Sequence, residues 1–483
     1  MKILMILPPS PFLLDDRVFV ALGPLSVVAA LENAGHDVCV EDLSGLDDVS
    51  NRLVKRIQDG WDCYLITGTT PQWPTVIELL TVIRQHDPGK RVVVGGPHAT
   101  VMPESCSMFD CVVRGDGEEA IIQAIRSDAP HLIDASNVVK GELRYIRPAR
   151  HLVDMNSYRY TLQGLKGTSA MFSTGCPYNC SFCCMRSIPT GRRVRVRDVD
   201  DVVREIEHLQ DVYGIRAIMA FDDETNLNES SLLDLCNAIK PLGLKLRAFI
   251  KANLFNDKQA EAMAEVGFVD LCTGAESGSA RILKIINKQT TPEINKRFVD
   301  LCHKHGIRAK LFNSLCQAGE TYESAMETRD WLLETKPDDF DISVVTVYPS
   351  CPYWDEREFI GTDSGGTRIC RYTRKSKDPN INGATLFFEE IDYSLQFSAY
   401  KGRPKEYVSH TWTPDLDKKD LVKLRDSIED DVRKALGIPY PKRYSGDFLH
   451  EGKEVLSGGQ NFEHSMGAWT SPQDSRVLLK KHD

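Results

Sequence analysis

The sequence lacks any apolar run of the roughly 18–20 residues that a membrane-spanning helix needs, although the chain has 483 residues. Its start, MKILMILPP, lacks the longer apolar segment and the small-residue cleavage site of a signal peptide. Basic residues are in the minority, with 59 Lys and Arg against 69 Asp and Glu and a net charge of −10. This balance argues against a general nucleic-acid-binding or anionic-membrane surface. We therefore expect a cytoplasmic protein with no membrane span and no nucleic-acid partner.

Internal repeats and low-complexity tracts are also absent, apart from a recurring strand–helix rhythm. Single cores stop growing at roughly 250–300 residues, so two or three domains are expected. From residue 2 to about 126, short apolar runs alternate with helical patterns, which predicts a doubly wound parallel α/β sheet. About six further strand–helix units over 169–348 predict a partial (β/α)6 barrel, short of the eight units of a complete barrel.

The domain boundaries are placed where these patterns change. Residues 1–140 are predicted to form the first domain, 141–165 a linker, 166–350 the partial barrel and 351–483 a mixed or helical C-terminal extension. The extension has no regular period before an amphipathic helix predicted at 417–436. Because six units leave the barrel mouth wide, we expect the extension to cover the open side and to supply much of the substrate pocket.

Turn-forming and hydroxyl residues follow four predicted strands of the first domain. In a doubly wound sheet the ligand lies outside the carboxyl ends of the strands. The segments are Pro8-Pro9-Ser10, Gly68-Thr69-Thr70, Gly95-Gly96-Pro97-His98 and Gly115-Asp116-Gly117-Glu118. They indicate either a large, flat or polar ligand or ordinary turn chemistry, because Gly ends strands in many proteins. The pattern by itself leaves both interpretations open.

Four of the fourteen cysteines fall within nine positions of the stretch STGCPYNCSFCCMR at 173–186. Cys176, Cys180 and Cys183 follow a predicted strand at the carboxyl face of the barrel, where active sites of such barrels lie. A zinc ribbon would need a second Cys-x-x-Cys pair about 15–20 residues later, whereas the next cysteine, Cys236, stands alone. Three thiolates can instead hold three irons of a cubane cluster and leave the fourth iron open.

The spacing Cys-x-x-x-Cys-x-x-Cys, with the aromatic Phe182 before the last cysteine, resembles the signature of the radical S-adenosylmethionine (SAM) enzymes. The resemblance implies that Cys176, Cys180 and Cys183 bind a [4Fe-4S] cluster. Its open iron would take the amino and carboxylate groups of SAM. Cys184 lies outside the pattern, and we expect it to be a small buried residue.

Other strand ends of the barrel resemble the SAM-binding segments of the same family. The acidic stretch at 220–224 is similar to the segment that faces the methionine amino group. The stretch GAESGS at 274–279 resembles the segment near the SAM ribose and carboxylate, and 317–321 resembles a Gly-Glu-Thr turn. The SAM contacts implied by this resemblance are Phe182, Asp222, Asp223, Glu276 and Ser277.

The first domain resembles the cobalamin-binding domain that precedes the barrel in one large subfamily. The resemblance lies in LGPL at 22–25, ENAGH at 32–36, VGGPHAT at 94–100 and VRGDGE at 113–118. The implied cobalamin contacts are Pro9, Thr69, Thr70, Gly95, Gly96, Pro97, His98, Gly115 and Glu118. The Asp-x-His-x-x-Gly motif, whose histidine binds cobalt in mutases, is absent. A domain that has lost cobalamin is the alternative.

The resemblance implies an oxygen-sensitive, cobalamin-dependent radical SAM C-methyltransferase. A 5′-deoxyadenosyl radical would activate an unreactive carbon, and methylcobalamin would supply the methyl group. The alternative is a cyclase or rearrangement enzyme of the same family without net methyl transfer. Either reaction implies a small-molecule or natural-product substrate and an electron donor such as flavodoxin or ferredoxin.

Two features of the C-terminal extension carry less specific signals. Cys351 lies where the chain leaves the last barrel strand, and it is either a hydrogen donor or substrate contact or a buried thiol. Arg368, Arg371, Arg374 and Lys375 lie close together in the sequence beside Tyr372. They indicate either a grip on a substrate phosphate or carboxylate or a solvated charged face.

Overall fold

The computed structural model describes residues 1–10, 15–46, 48–135, 145–188, 191–392 and 407–440. The first part of the chain forms a six-stranded parallel sheet with the strand order β2-β1-β3-β4-β5-β6. Its strands are β1 (Lys2–Leu7), β2 (Asp37–Asp42), β3 (Cys63–Thr67), β4 (Arg91–Gly95), β5 (Cys111–Arg114) and β6 (Leu132–Asp134). Its helices are α1 (Leu22–Asn33), α2 (Val49–Ile57), α3 (Trp73–His86), α4 (Pro97–Val101) and α5 (Gly117–Ala124).

This sheet is covered by helices on both faces, which confirms the doubly wound fold. Alternate side chains of β1 enter two different cores: Ile3 and Met5 pack with α1 and α5, whereas Leu4 and Ile6 pack with α2 and α3. Strands buried on both faces have nearly continuous apolar sequences, as β1 has. The strand order reverses between β1 and β3, and such switch points open the ligand crevice of doubly wound sheets. Strand β6 lies beyond residue 126, where the predicted strand–helix alternation of the first domain ends.

The middle of the chain forms a curled seven-stranded sheet with the order β15-β14-β13-β12-β11-β8-β7. Six of these strands are parallel, and the short β7 pairs antiparallel with β8. The strands are β7 (Thr161–Leu162), β8 (Leu165–Ala170), β11 (Ala217–Ala220), β12 (Lys245–Phe249), β13 (Phe268–Glu276), β14 (Arg308–Leu315) and β15 (Asp339–Val344). Between β8 and β11, β9 (Ser173–Thr174) pairs with β10 (Arg195–Val196).

Helices α6 (Val199–Tyr213), α7 (Glu229–Ile239), α8 (Asp257–Val266), α9 (Ala280–Ile285), α10 (Pro292–Lys304) and α11 (Tyr322–Thr335) connect these strands. Six parallel strands with these helices confirm the partial barrel. The first and last barrel strands each begin about four residues earlier than the sequence predicted. Buried apolar residues continue past the end of both strands, with Phe172 after β8 and Val345 and Val347 after β15, so the apolar pattern extends beyond each strand.

The C-terminal extension contains a four-stranded antiparallel sheet that the sequence did not predict. Its elements are α12 (Pro352–Asp355), β16 (Glu358–Thr362), β17 (Arg368–Thr373), β18 (Thr385–Glu390), β19 (Thr411–Trp412) and α13 (Lys418–Leu436). Helix α13 begins after the capping residue Asp417, as predicted. Its buried Arg433 binds Glu429 at 2.9 Å and Asp339 of β15 at 3.3 Å, so α13 is attached to the last barrel strand.

Ion pairs join the first sheet and the barrel across their junction. Glu205 of α6 is buried between Arg150 of the connector and Arg197, which it contacts at 2.7 Å. Arg195 of β10 reaches Asp116, which follows β5, at 2.9 Å. Within the described part of the chain, no helix has both the length and the apolarity needed to cross a bilayer.

Candidate active site

A cavity of about 820 Å³ lies between the first sheet and the partial barrel. Its volume is in the upper part of the range for small-molecule sites, and its wall is mainly apolar. One side consists of the residues that follow β1, β3, β4 and β5. The other side includes Thr174, Cys184, Ile188, Arg195, Tyr348 and Pro349. The strand-end loops of the first sheet therefore face the side of the barrel that carries the cysteine stretch 176–184, across one shared space.

Seven of the nine residues predicted to contact cobalamin line this cavity, namely Thr69, Thr70, Gly95, Gly96, Pro97, Gly115 and Glu118. Pro9 does not, and its neighbours Pro8 and Ser10 form the wall there. Glu118 is the second residue of α5, and burial raises the pKa of its carboxyl group. The cavity thus brings together residues from four separate strand ends, as the doubly wound sheet requires.

His98 lies outside the cavity lining and packs inside the first domain. Its Nδ1 is 3.2 Å from Thr70 Oγ1, its Nε2 is 2.8 Å from Ser105 Oγ, and its ring stacks on Trp73. Burial lowers the pKa of His98 to about 4. Both ring nitrogens are engaged by hydroxyls, so His98 has a structural role here. No histidine lies among the described residues that line the cavity.

The floor of the cavity depends on a close approach between the loops after β3 and β4. Gly96 has a φ of +91°, and a Cβ at this position would lie 2.4 Å from Thr67 Oγ1 and 3.3 Å from the Gly68 nitrogen. Only glycine has both the backbone freedom and the absence of a side chain that this contact needs. A broad cavity with a glycine floor and no facing imidazole fits a large, flat ligand whose metal takes no histidine from the protein.

The cysteine loop is fixed by main-chain hydrogen bonds to several barrel segments. The Cys176 N–H donates to the Gly191 carbonyl at 2.8 Å, and the Ser181 N–H donates to the Ile286 carbonyl at 3.0 Å. The Asn287 side chain donates to the Asn179 carbonyl at 2.9 Å. The loop is therefore held at its start, at Cys176, and in its middle, at Asn179 and Ser181.

The three thiols of Cys176, Cys180 and Cys183 are all free. Burial raises the pKa of Cys176, and it raises the pKa of Cys183 to about 11. Among the described residues, no group of three or more His, Cys, Asp and Glu side chains is arranged to hold a single metal ion. A cubane cluster holds its thiolates farther apart, because each binds a different iron. The three-thiol loop fits such a cluster, whose irons would offset the cost of ionising buried thiols.

Asp222 and Asp223, the predicted partners of the SAM amino group, bind the main chain around the cysteine loop. Asp222 accepts hydrogen bonds from the Phe172 N–H and the Ser173 hydroxyl, both at 2.7 Å. Burial raises the pKa of Asp222 to about 6. Asp223 accepts from the Gly175 N–H at 2.7 Å. These contacts occupy the carboxylates of Asp222 and Asp223. The next acidic residue in the sequence, Glu224, remains available to a ligand.

Glu224 and two lysines were not assigned a role from the sequence. Glu224 is half-buried; burial raises the pKa of its carboxyl, and Lys288 and Lys251 act in the opposite direction. Lys288 binds Glu276 at 2.9 Å. Lys251 lies above the ring of Tyr178 at 4.3 Å. For Glu224 and Lys251, the signal available in the sequence was a charged residue shortly after a barrel strand, β11 or β12, where a surface position is the usual explanation.

The other predicted SAM contacts lie beside the same loop. Glu276 adopts the left-handed region with a φ of +64° and accepts a hydrogen bond from Ser314 at 3.2 Å. Backbone strain of this kind is frequent at functional sites. Ser277 is buried and contacts Thr328 Oγ1 at 3.1 Å, so its hydroxyl holds the turn onto α11. Phe182 packs below the Lys288 ammonium, which is 5.9 Å from its ring centroid.

The two cysteines outside the cluster motif have different surroundings. Cys351 is fully buried before α12 and is not part of the cavity wall, and burial raises its pKa to about 12. Its position agrees with the buried-thiol alternative. Cys184 is only half-buried and lines the cavity, with its Sγ 3.5 Å from the Pro349 carbonyl.

Two arginines of the predicted basic cluster in the extension are paired with carboxylates of their own sheet. Arg368 contacts Glu390 at 2.9 Å, and Arg371 contacts Glu358 at 2.7 Å. Both arginine side chains are exposed. This arrangement agrees with a solvated charged face on the four-stranded sheet.

Two family models match the chain in the order of its two sheets. Residues 18–125 match the B12 binding domain, and residues 171–332 match the Radical SAM superfamily. The first match includes the strand-end loops after β3, β4 and β5, and the second includes the cysteine loop.

Curated relatives and a solved structure extend this similarity over most of the chain. An uncharacterised methyltransferase of Pyrococcus horikoshii is 31% identical over 386 residues, which cover 74% of this chain and 83% of that protein. An anaerobic magnesium-protoporphyrin IX monomethyl ester cyclase of Cereibacter sphaeroides is 26% identical over 325 residues, 61% of this chain and 53% of that protein. The fold resembles that of the radical SAM methyltransferase TsrM from Kitasatospora setae, with a TM-score of 0.64 and 18% identity. The match covers 99% of this chain and 95% of TsrM.

Proposed function

We propose a function for this chain from one premise: the chain belongs to the radical SAM superfamily and carries a B12-binding domain before its barrel. The protein is a cobalamin-dependent radical SAM C-methyltransferase that places a methyl group on a carbon of a small-molecule or natural-product substrate. Bound together, a [4Fe-4S] cluster, SAM and cobalamin supply the radical and the methyl group of this reaction.

The single observation that carries the proposal is the shared cavity between the first sheet and the barrel. The cobalamin-holding loops and the cysteine loop would have to face one substrate site for this chemistry, with water kept out. The cavity has the glycine floor of Gly96 on one side and Thr174 and Cys184, the neighbours of the cysteine loop, on the other. Its mainly apolar wall suits the protection of reactive intermediates.

Within this proposal, each group of residues has a distinct task. The cluster is held by Cys176, Cys180 and Cys183. The main chain directly before these cysteines is fixed by Asp222 and Asp223. Glu224 receives the ammonium group of SAM, because it is the acidic side chain of that strand end that no described residue hydrogen-bonds. The loops with Thr69, Gly95, Gly115 and Glu118 hold cobalamin.

The relatives favour methyl transfer over rearrangement. The Pyrococcus horikoshii relative, named a methyltransferase, is aligned with a larger part of this chain than the Cereibacter sphaeroides relative, named a cyclase. The cyclase is also matched over only about half of its own length. Ring closure without methyl transfer is therefore the second candidate, and product mass separates the two.

The partners and location follow from the same chemistry. Cluster reduction needs a low-potential one-electron donor, for which a flavodoxin or ferredoxin is proposed. All fourteen cysteines are free, which supports a reducing compartment such as the cytoplasm. The net charge of −10 supports a small-molecule substrate over a nucleic acid. We further propose that the domain boundaries lie near residues 140, 165 and 350.

The first test counts the cofactors. The protein is purified without oxygen, reconstituted with iron, sulfide and hydroxocobalamin, desalted, and analysed for iron and cobalt. We expect about four irons per chain, the content of one [4Fe-4S] cluster, together with one cobalamin. The Cys180→Ala variant should lose the cluster's visible absorption and SAM cleavage but keep cobalt. Retained SAM cleavage in that variant would contradict the cluster assignment.

The second test decides the reaction type. With methyl-deuterated SAM, the product should gain a deuterated methyl group. A product with an unchanged number of carbon atoms would assign the enzyme to the rearrangement class. Iron without cobalt would remove the methyltransferase proposal and leave a radical SAM enzyme whose first domain binds no cobalamin.

A further inference from the structure

We propose that Lys251 is the fixed charge partner of the iron–sulfur cluster and raises the reduction potential of the cluster. The inference rests on the cluster assignment made above. It concerns a residue that no motif of the sequence identified, and it is carried by the position, the burial and the missing counter-ion of the Lys251 side chain.

The position of Lys251 is fixed from two sides. It follows β12 at the carboxyl face of the barrel, and the Asn226 side chain binds its backbone through both groups. The Lys251 N–H donates to Asn226 Oδ1 at 2.8 Å, and Asn226 Nδ2 donates to the Lys251 carbonyl at 3.1 Å. The Lys251 ammonium lies 4.3 Å from the ring centroid of Tyr178, between the first two cysteines of the motif. The ammonium is therefore held against the cysteine loop.

The Lys251 ammonium is buried and forms no ion pair within 4.0 Å among the described residues. The residue is 3% exposed, and the one described acceptor of its Nζ is the carbonyl of Lys288 at 3.0 Å. No carboxylate oxygen of the described residues forms an ion pair with it within 4.0 Å. The neighbouring Lys288 differs, because Glu276 pairs with it at 2.9 Å.

A buried ammonium of this kind is costly unless a negative group lies near it. Three thiolates and the cluster they bind form a negatively charged group at this point of the loop. The half-buried Glu224 also faces both lysines, but it forms an ion pair within 4.0 Å with neither of them. The cluster is thus the group that offsets the burial cost of Lys251.

The effect on the potential follows from charge balance. One electron from a low-potential one-electron reductant enters the cluster, so its charge becomes one unit more negative and no bond is made or broken. A fixed cation stabilises the more negative form, and it does so strongly where water is excluded. Lys251 therefore favours the reduced cluster, which is the form that cleaves SAM in this family.

The test is a redox titration of the reconstituted protein without SAM, followed by visible absorption and electron paramagnetic resonance. Lys251→Met keeps the length and apolar stem of the side chain but removes the charge. We expect a more negative midpoint potential than in the wild type. Lys251→Arg should restore the wild-type midpoint. Lys245→Met is the matched control, because Lys245 starts the same strand roughly 20 Å away and should leave the midpoint unchanged.

Each outcome decides the proposal. An unchanged midpoint in Lys251→Met overturns it, and an unchanged midpoint with weaker SAM binding assigns Lys251 to the SAM carboxylate instead. If Lys251→Met loses its iron, Lys251→Arg decides: retained iron with the wild-type midpoint supports the charge role, and lost iron makes Lys251 a packing residue. A wild-type protein that binds no iron overturns the function proposed above together with this inference, whereas an iron-loaded protein with no shift overturns the inference alone.

Discussion

Gly175, directly before the first cysteine of the motif, provides the sharpest test of how the cysteine loop is built. Its φ is +94°, and a Cβ at this position would lie 2.0 Å from the backbone oxygen of Arg193 and 2.6 Å from the Arg193 carbonyl carbon. Real Cβ contacts are not found below 3.0 Å, so Gly175→Ala must move one of two backbone segments by about 1 Å. A flexible side chain could give way at low cost, but a main-chain carbonyl cannot.

The magnitude has two parts. The left-handed backbone costs an alanine about 1–2 kcal/mol. The displacement adds to this and acts on Cys176, whose own N–H is bonded to Gly191 at 2.8 Å. A 1 Å misplacement of reacting groups costs about 100-fold in rate. We therefore expect Gly175→Ala to bind much less iron than the wild type and to cleave SAM about 100-fold more slowly.

The matched control is Gly214→Ala. Gly214 ends α6 with a φ of +67°, and no atom lies within 4 Å of a Cβ built there. This variant pays the backbone cost without the collision, so its thermal midpoint should fall while its iron content and SAM cleavage remain at wild-type levels. If Gly175→Ala matches Gly214→Ala in iron content and SAM cleavage, the contact with Arg193 does not position the cluster loop and the argument is wrong.

Two further predictions concern Glu224 and His98. Glu224→Gln removes a charge-assisted hydrogen bond worth about 1.5–3 kcal/mol, so the Kd for SAM measured by calorimetry should rise at least about tenfold. The control variant Glu229→Gln changes an exposed residue and should bind SAM as the wild type does. Equal SAM affinities of Glu224→Gln and the wild type would refute the role of Glu224. The pKa of His98 in the folded protein, about 4, lies below the ordinary value of 6.5. Between these two pH values the unfolded chain binds more protons than the folded protein does. The free energy of unfolding therefore falls as the pH drops from 6.5 to 4. Denaturant unfolding should show about 3 kcal/mol more loss over this window in the wild type than in His98→Gln, and parallel curves would contradict it. Cobalamin content should be equal in both proteins.

The barrel and the first sheet were predictable because their strands are buried on both faces and are separated by helix-length segments. Strand β1 is one example: its apolar run is continuous because alternate residues enter two cores. The C-terminal sheet shows the limit of this signal. Strand β16 is exposed along most of its length, so no alternation of apolar and polar residues marks it. Its strands are assembled by pairing with one another, and this pairing is a non-local property.

Some residues of the candidate site were predictable from the sequence and others were not. Cys176, Cys180 and Cys183 were predictable because a single loop must supply all three thiolates, so their spacing lies within one short segment. His98 shows the opposite case. Its place in a Gly-Gly-Pro-His strand end predicted a ligand contact, but the turn of α4 directs its ring into the core against Trp73. A sequence gives the position of a residue at a strand end but not the side to which its side chain turns.

The sequence by itself determined the spacing of the three cysteines and the order of the two sheets, because a cysteine motif and strand–helix alternation are local patterns. Only the tertiary structure decided that Asp222 and Asp223 hold the loop and that Glu224 is available to a ligand. It also decided that Lys251, about 70 residues after Tyr178 in the chain, lies on the ring of Tyr178. Both depend on which strand ends meet at one face of the curled sheet, and that is settled by the packing of the whole barrel.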